Sequence, residues 1–156
     1  MKEKRIFVSI MAIAFCIFVL TPIVSAGPIE DSAQLTREWI KAFNEGNAEA
    51  LSALFAPDAV YTSWASPFPT IGREAIRAGF EGFFRTFPIR YLMSSDERRK
   101  AYGDTVTLYN HWTCIYGDGK GAPKTVFGRN SSVTAIVEGR RMILSQHASF
   151  FPIAGP

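Results

Sequence analysis

The sequence predicts one α+β domain in which helices come first and most of a sheet follows. Leu35, Trp39 and Phe43 recur every four residues near the start, which is the spacing of one face of a helix. Beyond Pro88 the chain is rich in β-branched and aromatic residues, and its runs are separated by turns that contain glycine. Strands joined by such short turns pair antiparallel, so we expect a mostly antiparallel sheet with the helices on one face.

Three helices are expected. The first covers residues 29–44 and ends before a glycine. Asn47 can cap a short second helix over residues 48–55, because its side chain can accept from a free amide of the first turn. The third helix covers residues 73–86, and its apolar positions are Ile76, Phe80, Phe83, Phe84 and Phe87.

The strands follow from alternation and from turn residues. We expect strands over residues 59–63, 89–101, 105–116, 124–137 and 141–150. The segment from Trp64 to Thr70 contains two prolines and two large aromatic residues, so it is interpreted as a loop that forms a lid or a rim.

Residues 1–26 have the pattern of a secretory signal peptide. A basic start is followed by an uncharged run over residues 6–20, and Val24 and Ala26 stand at the two positions that a signal peptidase reads. We therefore expect cleavage after Ala26, a mature domain over residues 27–156, and export to the periplasm or the medium. A single domain is also what a chain of 156 residues allows.

An uncleaved membrane anchor is the alternative for this leader. The apolar run can be extended to residues 6–24, which is close to the minimum for a bilayer span, but Thr21 and Pro22 interrupt it. With cleavage, contact with a membrane is limited to the leader during export.

The charge balance argues against a nucleic-acid partner. Three of the 17 basic and one of the 14 acidic side chains lie in residues 1–26, so the remainder carries a net charge of about +1. No basic stripe remains that could neutralise phosphates, and we expect no nucleic-acid binding. Only Cys114 lies outside the leader, so no internal disulfide can form, and Cys114 is interpreted as a buried small residue.

Five short segments together resemble a known superfamily. They cover residues 43–47, 54–61, 72–76, 127–129 and 147–152. In this order and spacing they resemble the nuclear transport factor 2-like superfamily (SnoaL-like, cystatin-like cone), and the last two resemble its SgcJ/EcaC-type branch. The association domain of calcium/calmodulin-dependent protein kinase II ends in a similar way.

The resemblance covers nearly all of residues 29–153 and has consequences for the fold. It implies a curved sheet wrapped around a long helix, with a conical cavity between them. Dimers through the outer face of the sheet are common in the superfamily, so we expect a homodimer. The superfamily contains isomerases, dehydratases, hydrolases, ligand binders and assembly domains, so membership leaves the function open.

Ketosteroid isomerase is also similar, and its catalytic residues can be carried over one by one. Its hydrogen-bonding tyrosine falls on Trp39, and its catalytic carboxylate falls on Ser63. Residues 124–137, which correspond to the strand of its second acid, contain no Asp or Glu. An indole is not an acidic donor and a serine hydroxyl does not abstract a proton unaided, so we reject this chemistry for the chain.

Two histidines are the candidates for catalysis, and the catalytic residues are otherwise unknown. The resemblance places His111 inside the cavity, with Tyr109 and Thr113 on the same face by alternation. His147 is either a polar group of the cavity or a strand histidine satisfied by neighbouring hydroxyl groups. Imidazoles in the cavity could bind an anion or a carbonyl group, or relay a proton. The spacing of the two is no ligand motif and no third ligand is evident, so we expect no metal.

The remaining candidates are aromatic walls and polar strand residues. Arg129 is either an anchor for a carboxylate or a solvated strand residue, and Trp64 could gate the cavity. Residues 130–132 match a glycosylation acceptor, which we discount because it lies in the middle of a strand. The predicted ligand-binding residues are Trp39, Tyr61, Trp64, Phe80, Phe84, Tyr109, His111, Arg129, Asn130, Ser132 and His147.

Three functions remain open. The first is an exported domain that binds a small, largely apolar molecule in a conical cavity with a polar floor. The second is an enzyme (an isomerase, a hydrolase or an oxidoreductase-like protein) that acts on a small hydrophobic carbonyl compound, with His111 or His147 as the acid and base. The third is a homo-oligomerisation or interaction module. The sequence contains no carboxylate pair, nucleophile triad or nucleotide-binding fingerprint, which favours binding and predicts no cofactor.

Overall fold

The computed structural model describes residues 27–151. The predicted signal peptide, residues 1–26, and the last residues, 152–156, lie outside the described residues. The elements are α1 (Pro28–Glu45), α2 (Ala48–Ser52), β1 (Phe55–Thr62), β2 (Thr70–Ile71), α3 (Arg73–Thr86), β3 (Ile89–Tyr102), β4 (Thr105–Gly117), β5 (Lys124–Val137) and β6 (Arg140–Phe150). Within this part of the chain, the helices are too short or too polar to cross a bilayer.

Six strands form one sheet in the order β2-β1-β6-β5-β4-β3. Strand β1 runs parallel to β6, and every other neighbouring pair in the described sheet is antiparallel, which confirms a mostly antiparallel sheet. Strand β3 has one extra residue between Ser95 and Arg98, and β6 has an extra residue, Leu144, opposite Val133 and Thr134 of β5. Bulges of this kind bend a strand, so the sheet curves, and α1 lies against β3, β4 and β6.

Helix α2 is shorter than the sequence predicts. It ends at Ser52 rather than at residue 55, and β1 begins at Phe55, four residues before its expected start. The side chain of Phe55 is fully buried, and the residue pairs with Ile143 of β6. The amide of Ile143 also donates to the carbonyl of Leu54 over 2.9 Å. Pairing with a distant strand therefore overrides the local helical tendency of residues 53–55.

The helices α1 and α3 are held together by aromatic rings. Phe43 of α1 lies 5.5 Å from the ring of Trp39, 6.4 Å from Phe80 and 5.4 Å from Phe84, measured between ring centroids. The pairs with Phe80 and Phe84 are edge-to-face, the geometry that the quadrupoles of two rings favour. This cluster fixes the distance between the two helices and thereby one wall of the interior.

Candidate functional site

A cavity of about 250 Å³ lies between helices α1 and α3 and the inner face of the sheet. Most of its wall is apolar, and large rings from both layers contribute to it. The aromatic residues that line it are Trp39, Phe43, Tyr61, Trp64, Phe80, Phe83, Trp112 and Tyr116. The cavity therefore offers a hydrocarbon-like surface of the kind that small-molecule sites use.

Trp64 lies at the opening of the cavity, on the segment between β1 and β2. Its ring centroid is 4.3 Å from that of Phe150 and 6.3 Å from that of Tyr116. Trp64 nevertheless stays 40% exposed, and the nearby Phe68 is 75% exposed. The segment thus forms part of a rim, with one tryptophan shared between the cavity wall and solvent.

The floor of the cavity is the inner face of β4, β5 and β6. In β4 the buried residues alternate, with Leu108, Asn110 and Trp112 among those that line the cavity. Asn110 lies directly opposite Asn130 of β5, and Leu108 lies opposite Ser132. The floor therefore combines amide and hydroxyl groups with an indole and aliphatic side chains.

A short hydrogen-bond chain orients the two asparagines. The Nδ2 of Asn110 donates to the Oγ of Ser94 over 2.8 Å and to the carbonyl of His111 over 3.2 Å. A main-chain carbonyl can only accept, so the Oδ1 of Asn110 must face Asn130. Asn130 accordingly donates its Nδ2 to that oxygen over 2.9 Å. Ser94 in turn donates to a carboxylate oxygen of Glu97 over 2.6 Å, which completes the chain.

Four residues that line the cavity each carry a buried polar atom that has no hydrogen-bond partner within residues 27–151. Two are indole donors, the Nε1 atoms of Trp39 and Trp112. Two are amide acceptors, the Oδ1 of Asn130 and the Oε1 of Gln146. Buried polar atoms are normally satisfied, so unpartnered atoms that border a cavity indicate a place for a ligand or for water.

Two titratable groups of the cavity, Tyr61 and Cys114, are held in their neutral forms by burial. Burial raises the pKa of Tyr61 far above its usual range, and burial also raises the pKa of the Cys114 thiol to about 11. Among the described residues, none with a carboxylate, ammonium, guanidinium or imidazole side chain lines the cavity. The described wall can therefore bind and orient a molecule through neutral groups.

Part of the predicted ligand-binding set borders this cavity. These residues are Trp39, Tyr61, Trp64, Phe80, Asn130 and Ser132. Ser63, the position that corresponds to the ketosteroid isomerase carboxylate, also borders it. The side chain of Asn130 is buried and faces inward, which agrees with discounting the glycosylation triplet.

The sequence analysis missed Asn110, Trp112 and Gln146. A signal for the first two was present in β4, where Val106, Leu108, Trp112 and Cys114 alternate with more polar residues and mark the buried face. Asn110 has an even number, as these apolar residues do, so the alternation of the strand predicts an inward side chain for it. No comparable signal exists for Gln146, because its neighbours on either side are polar or small.

The expectation that His111 faces the cavity is wrong. The inward set of β4 has even numbers, so His111 lies on the outer face together with Tyr109. There its Nε2 is 3.0 Å from the hydroxyl of Tyr109, and its Nδ1 is 3.7 Å from a carboxylate oxygen of Asp96. A shift of one residue exchanges the two faces of a strand. The expectation placed the odd-numbered residues of β4 inside, whereas in the structure the even-numbered ones face the cavity.

His147 and Arg129 also lie outside the cavity. Both border an open groove of about 410 Å³ on the outer face, together with Tyr109, Ser131 and Ser149. The Nε of Arg129 donates to the Oγ of Ser149 over 3.4 Å, and its guanidinium lies 5.9 Å from the ring centre of Phe151. The prediction that Arg129 anchors a carboxylate inside the cavity is therefore wrong. The prediction that two imidazoles lie at the bottom of the cone is wrong as well.

Phe84 is the remaining correction among the aromatic candidates. It is 8% exposed but does not border the cavity, because it packs between Phe43 and the guanidinium of Arg90, which lies 4.8 Å from its ring centre. Its contribution is to the helix packing. Within residues 27–151, no three His, Cys, Asp or Glu side chains form a group that could hold a metal ion.

Comparisons with known proteins agree with this geometry. The SnoaL-like domain family matches residues 36–145. No curated protein matches the sequence significantly.

Solved structures share the fold. One is a candidate calcium/calmodulin-dependent protein kinase II association domain from Xanthomonas campestris, with a TM-score of 0.73 and 25% identity over 82% of this chain and 91% of that one. Another is a nuclear transport factor 2-like superfamily protein from Salmonella enterica, with a TM-score of 0.73 and 18% identity over 82% and 94%. A third is a candidate scytalone dehydratase from Novosphingobium aromaticivorans, with a TM-score of 0.72 and 17% identity over 79% and 83%.

Proposed function

The chain belongs to the SnoaL-like domain family, and from that premise we propose that it is an exported domain that binds one small, largely apolar molecule in its cone. The observation that carries the proposal is the cavity of about 250 Å³ with its wall of aromatic rings. An empty cavity of this size lowers the free energy of unfolding, because the side chains around it lose packing contacts. A bound molecule would restore these contacts.

The chemistry of the wall favours binding over acid–base catalysis. Proton transfer near neutral pH needs a group whose pKa lies near the working pH. Burial moves the pKa of Tyr61 and of Cys114 upward, away from neutrality, and both imidazoles lie outside the cavity. The enzyme hypothesis with His111 or His147 as acid and base therefore loses its support.

Tryptophan fluorescence offers a direct test, because all three tryptophans of the chain line the cavity. We expect 2-acetylnaphthalene, a neutral aromatic ketone, to quench this fluorescence saturably. Ala148→Leu adds bulk to the inner face of β6 and should weaken binding about tenfold or more. Ser149→Leu adds similar bulk on the opposite face and serves as the matched control. Equal affinities of both variants and the wild type, or no saturable quenching at all, would argue against the cavity as a binding site.

Export is proposed from the leader alone. The pattern of residues 1–26 supports cleavage after Ala26. Expression of the full chain in a bacterium with a periplasm should yield a protein whose intact mass corresponds to a start at Gly27. Ala26→Arg should block processing, because the peptidase reads a small residue at this position. Recovery of the unprocessed chain in the cytoplasm would contradict the proposal.

A homodimer through the outer face of the sheet is proposed as well. Met93, Thr113 and Phe127 lie in one row across β3, β4 and β5, and both Met93 and Phe127 are more than 40% exposed. An apolar row of this kind supports association with a second copy. Light scattering should give a dimer mass for the wild type and a monomer mass for Phe127→Lys, with Ile71→Lys as a control elsewhere on the surface. A monomeric wild type would refute this proposal.

A further inference from the structure

We infer that the ligand of the cavity is an uncharged molecule with a mostly hydrocarbon body that carries both a hydrogen-bond donor and a separate oxygen acceptor, as a neutral hydroxy-ketone does. This inference rests on the proposed function, since it presupposes a ligand in the cone. It is carried by the unpartnered polar atoms of these four lining residues.

The need for a donor on the ligand comes from Asn130. The orientation of its amide is determined, because the chain through Asn110 to the carbonyl of His111 requires the Nδ2 of Asn130 to face Asn110. The Oδ1 of Asn130 is then left without a partner, although the residue is only 7% exposed. An amide oxygen can only accept, so the ligand group that would satisfy it is a hydroxyl or an N–H donor.

Gln146 strengthens this requirement from the adjacent strand. It lies opposite Ser132, which is two residues beyond Asn130 on the same face of β5. Asn130 and Gln146 are therefore diagonal neighbours on the floor, and side chains in this relationship can reach a common partner. The buried end of the Gln146 amide has no partner, so a polar group of the ligand has a second amide beside that of Asn130.

The need for an acceptor on the ligand comes from the indoles. Trp39 belongs to α1 and Trp112 to β4, so the two N–H groups come from opposite layers of the fold. An indole nitrogen can only donate. Both Nε1 atoms are buried without a partner, so the ligand group that would satisfy either of them is an acceptor such as a carbonyl or ether oxygen.

A charged ligand does not fit this wall. Burial of a carboxylate or an ammonium group costs far more than burial of a neutral polar group unless an opposite charge compensates it. Among the described residues, none that lines the cavity carries a charge at pH 7. The ligand has to be neutral for the same reason that Tyr61 stays protonated, since both are desolvated inside the cone.

Four related naphthalenes test the inference at pH 7, with tryptophan fluorescence as the readout. The first, 6-acetyl-2-naphthol, has a hydroxyl donor and a carbonyl acceptor. The second, 2-acetyl-6-methoxynaphthalene, lacks the donor, and the third, 6-ethyl-2-naphthol, lacks the carbonyl. The fourth, 6-hydroxy-2-naphthoate, carries a negative charge. We expect the first to bind roughly 5- to 10-fold more tightly than the second or third, as loss of one neutral hydrogen bond implies, and about 100-fold or more tightly than the fourth.

Variants identify the groups that are responsible. Gln146→Leu keeps a similar volume without the amide and should reduce the preference for the naphthol over its methyl ether to about twofold or less. Trp39→Phe removes one indole donor and should reduce the preference for the ketone over the ethyl compound. Gln34→Leu, on the exposed side of α1, is the matched control and should leave both ratios unchanged.

The outcomes separate the inference from the function on which it rests. If all four compounds bind equally well, or if the naphthoate binds best, the inference is wrong and the proposed binding function stands. If none of the four binds, the proposed function fails and the inference fails with it. Preferences that persist unchanged in both Gln146→Leu and Trp39→Phe would also overturn the inference.

Discussion

Gly128 of β5 lies directly opposite Trp112 of β4, and the indole of Trp112 occupies the space that a Cβ atom at Gly128 would need. The carbonyl of Ser149 on β6 approaches the same point from the other side. The glycine is therefore required by close packing, since its backbone does not adopt a positive φ. This relationship gives the ring of Trp112 room next to Gly128, where Trp112 forms part of the cavity floor.

Gly128→Ala should consequently disturb both the fold and the cavity. The added methyl group has to displace a ring and a main-chain carbonyl, and overpacking of this kind costs about 1–3 kcal/mol of unfolding free energy. Urea denaturation followed by circular dichroism measures the change. Gly82→Ala, in α3 with open space around it, is the control and should stabilise the helix by about 0.5–1 kcal/mol. An unchanged midpoint for Gly128→Ala would contradict the packing argument.

Asn44 connects α1 to the free edge of the sheet. Its Oδ1 accepts from the amide of Leu92 over 2.7 Å, and its Nδ2 donates to the carbonyl of Leu92 over 3.1 Å. Leu92 belongs to β3, the last strand of the described sheet, so within residues 27–151 no strand pairs with these two groups on that side. Asn44→Ala should lower the unfolding free energy by about 1–3 kcal/mol, because both groups lose their partner.

The control for Asn44→Ala is Lys41→Ala, a substitution of an exposed residue on the same helix that should change stability by about 0.5 kcal/mol or less. Hydrogen exchange provides a second measurement. The amide of Leu92 should exchange faster in Asn44→Ala than in the wild type, whereas amides between β4 and β5 should keep their relative protection. Equal protection of Leu92 in both proteins would count against the contact.

The thiol of Cys114 should make stability depend on pH in the alkaline range. Burial raises its pKa from 9.0 to about 11 in the folded protein. Between these values the folded state retains a proton that the unfolded state has lost, so stability falls as pH rises through this window. Comparison with Cys114→Ala isolates the effect from other alkaline groups, Tyr61 included. The wild type should show the steeper loss of stability between about pH 9 and 11, and parallel curves would show that the thiol is not responsible.

The outer histidines should have no part in cavity binding. His111 and His147 lie on the face of the sheet that does not border the cavity. We expect His111→Gln and His147→Gln each to bind 6-acetyl-2-naphthol within about twofold of the wild type, as exposed substitutions away from a site usually do. A tenfold loss of affinity in either variant, with the fold intact, would contradict the conclusion that the outer face takes no part in binding.

Much of the element pattern could be read without the structure. The third helix over residues 73–86 and the strand over residues 124–137 have the predicted bounds. Apolar spacing and turn glycines are local signals, and local signals suffice wherever neighbouring residues decide the conformation. Residues 53–55 show where this fails, because a distant partner, Ile143, turns the end of a predicted helix into the start of a strand.

The site was harder to predict than the fold. The apolar parity of β4 carries enough information to place Asn110 inward and His111 outward. Strand β5 offers no such information, since its inward residues Asn130, Ser132 and Thr134 are more polar than the outward Val133. The inner face of a strand is usually apolar. Exceptions to this pattern are expected at functional sites, and the floor of the cavity is the proposed site here.

By itself, the sequence determined most of the element order and the aromatic character of the interior, because these follow from composition and from spacing along one chain. The family was indicated by a resemblance of short segments and is shown by the family match. Only the tertiary structure decided which polar side chains reach the cavity. Alternation gives every strand two equivalent faces, and the choice between them depends on pairing with other strands and on the bulges in β3 and β6. That choice placed three amides (Asn110, Asn130 and Gln146) and the indole of Trp112 inside the cone, and the two imidazoles outside it.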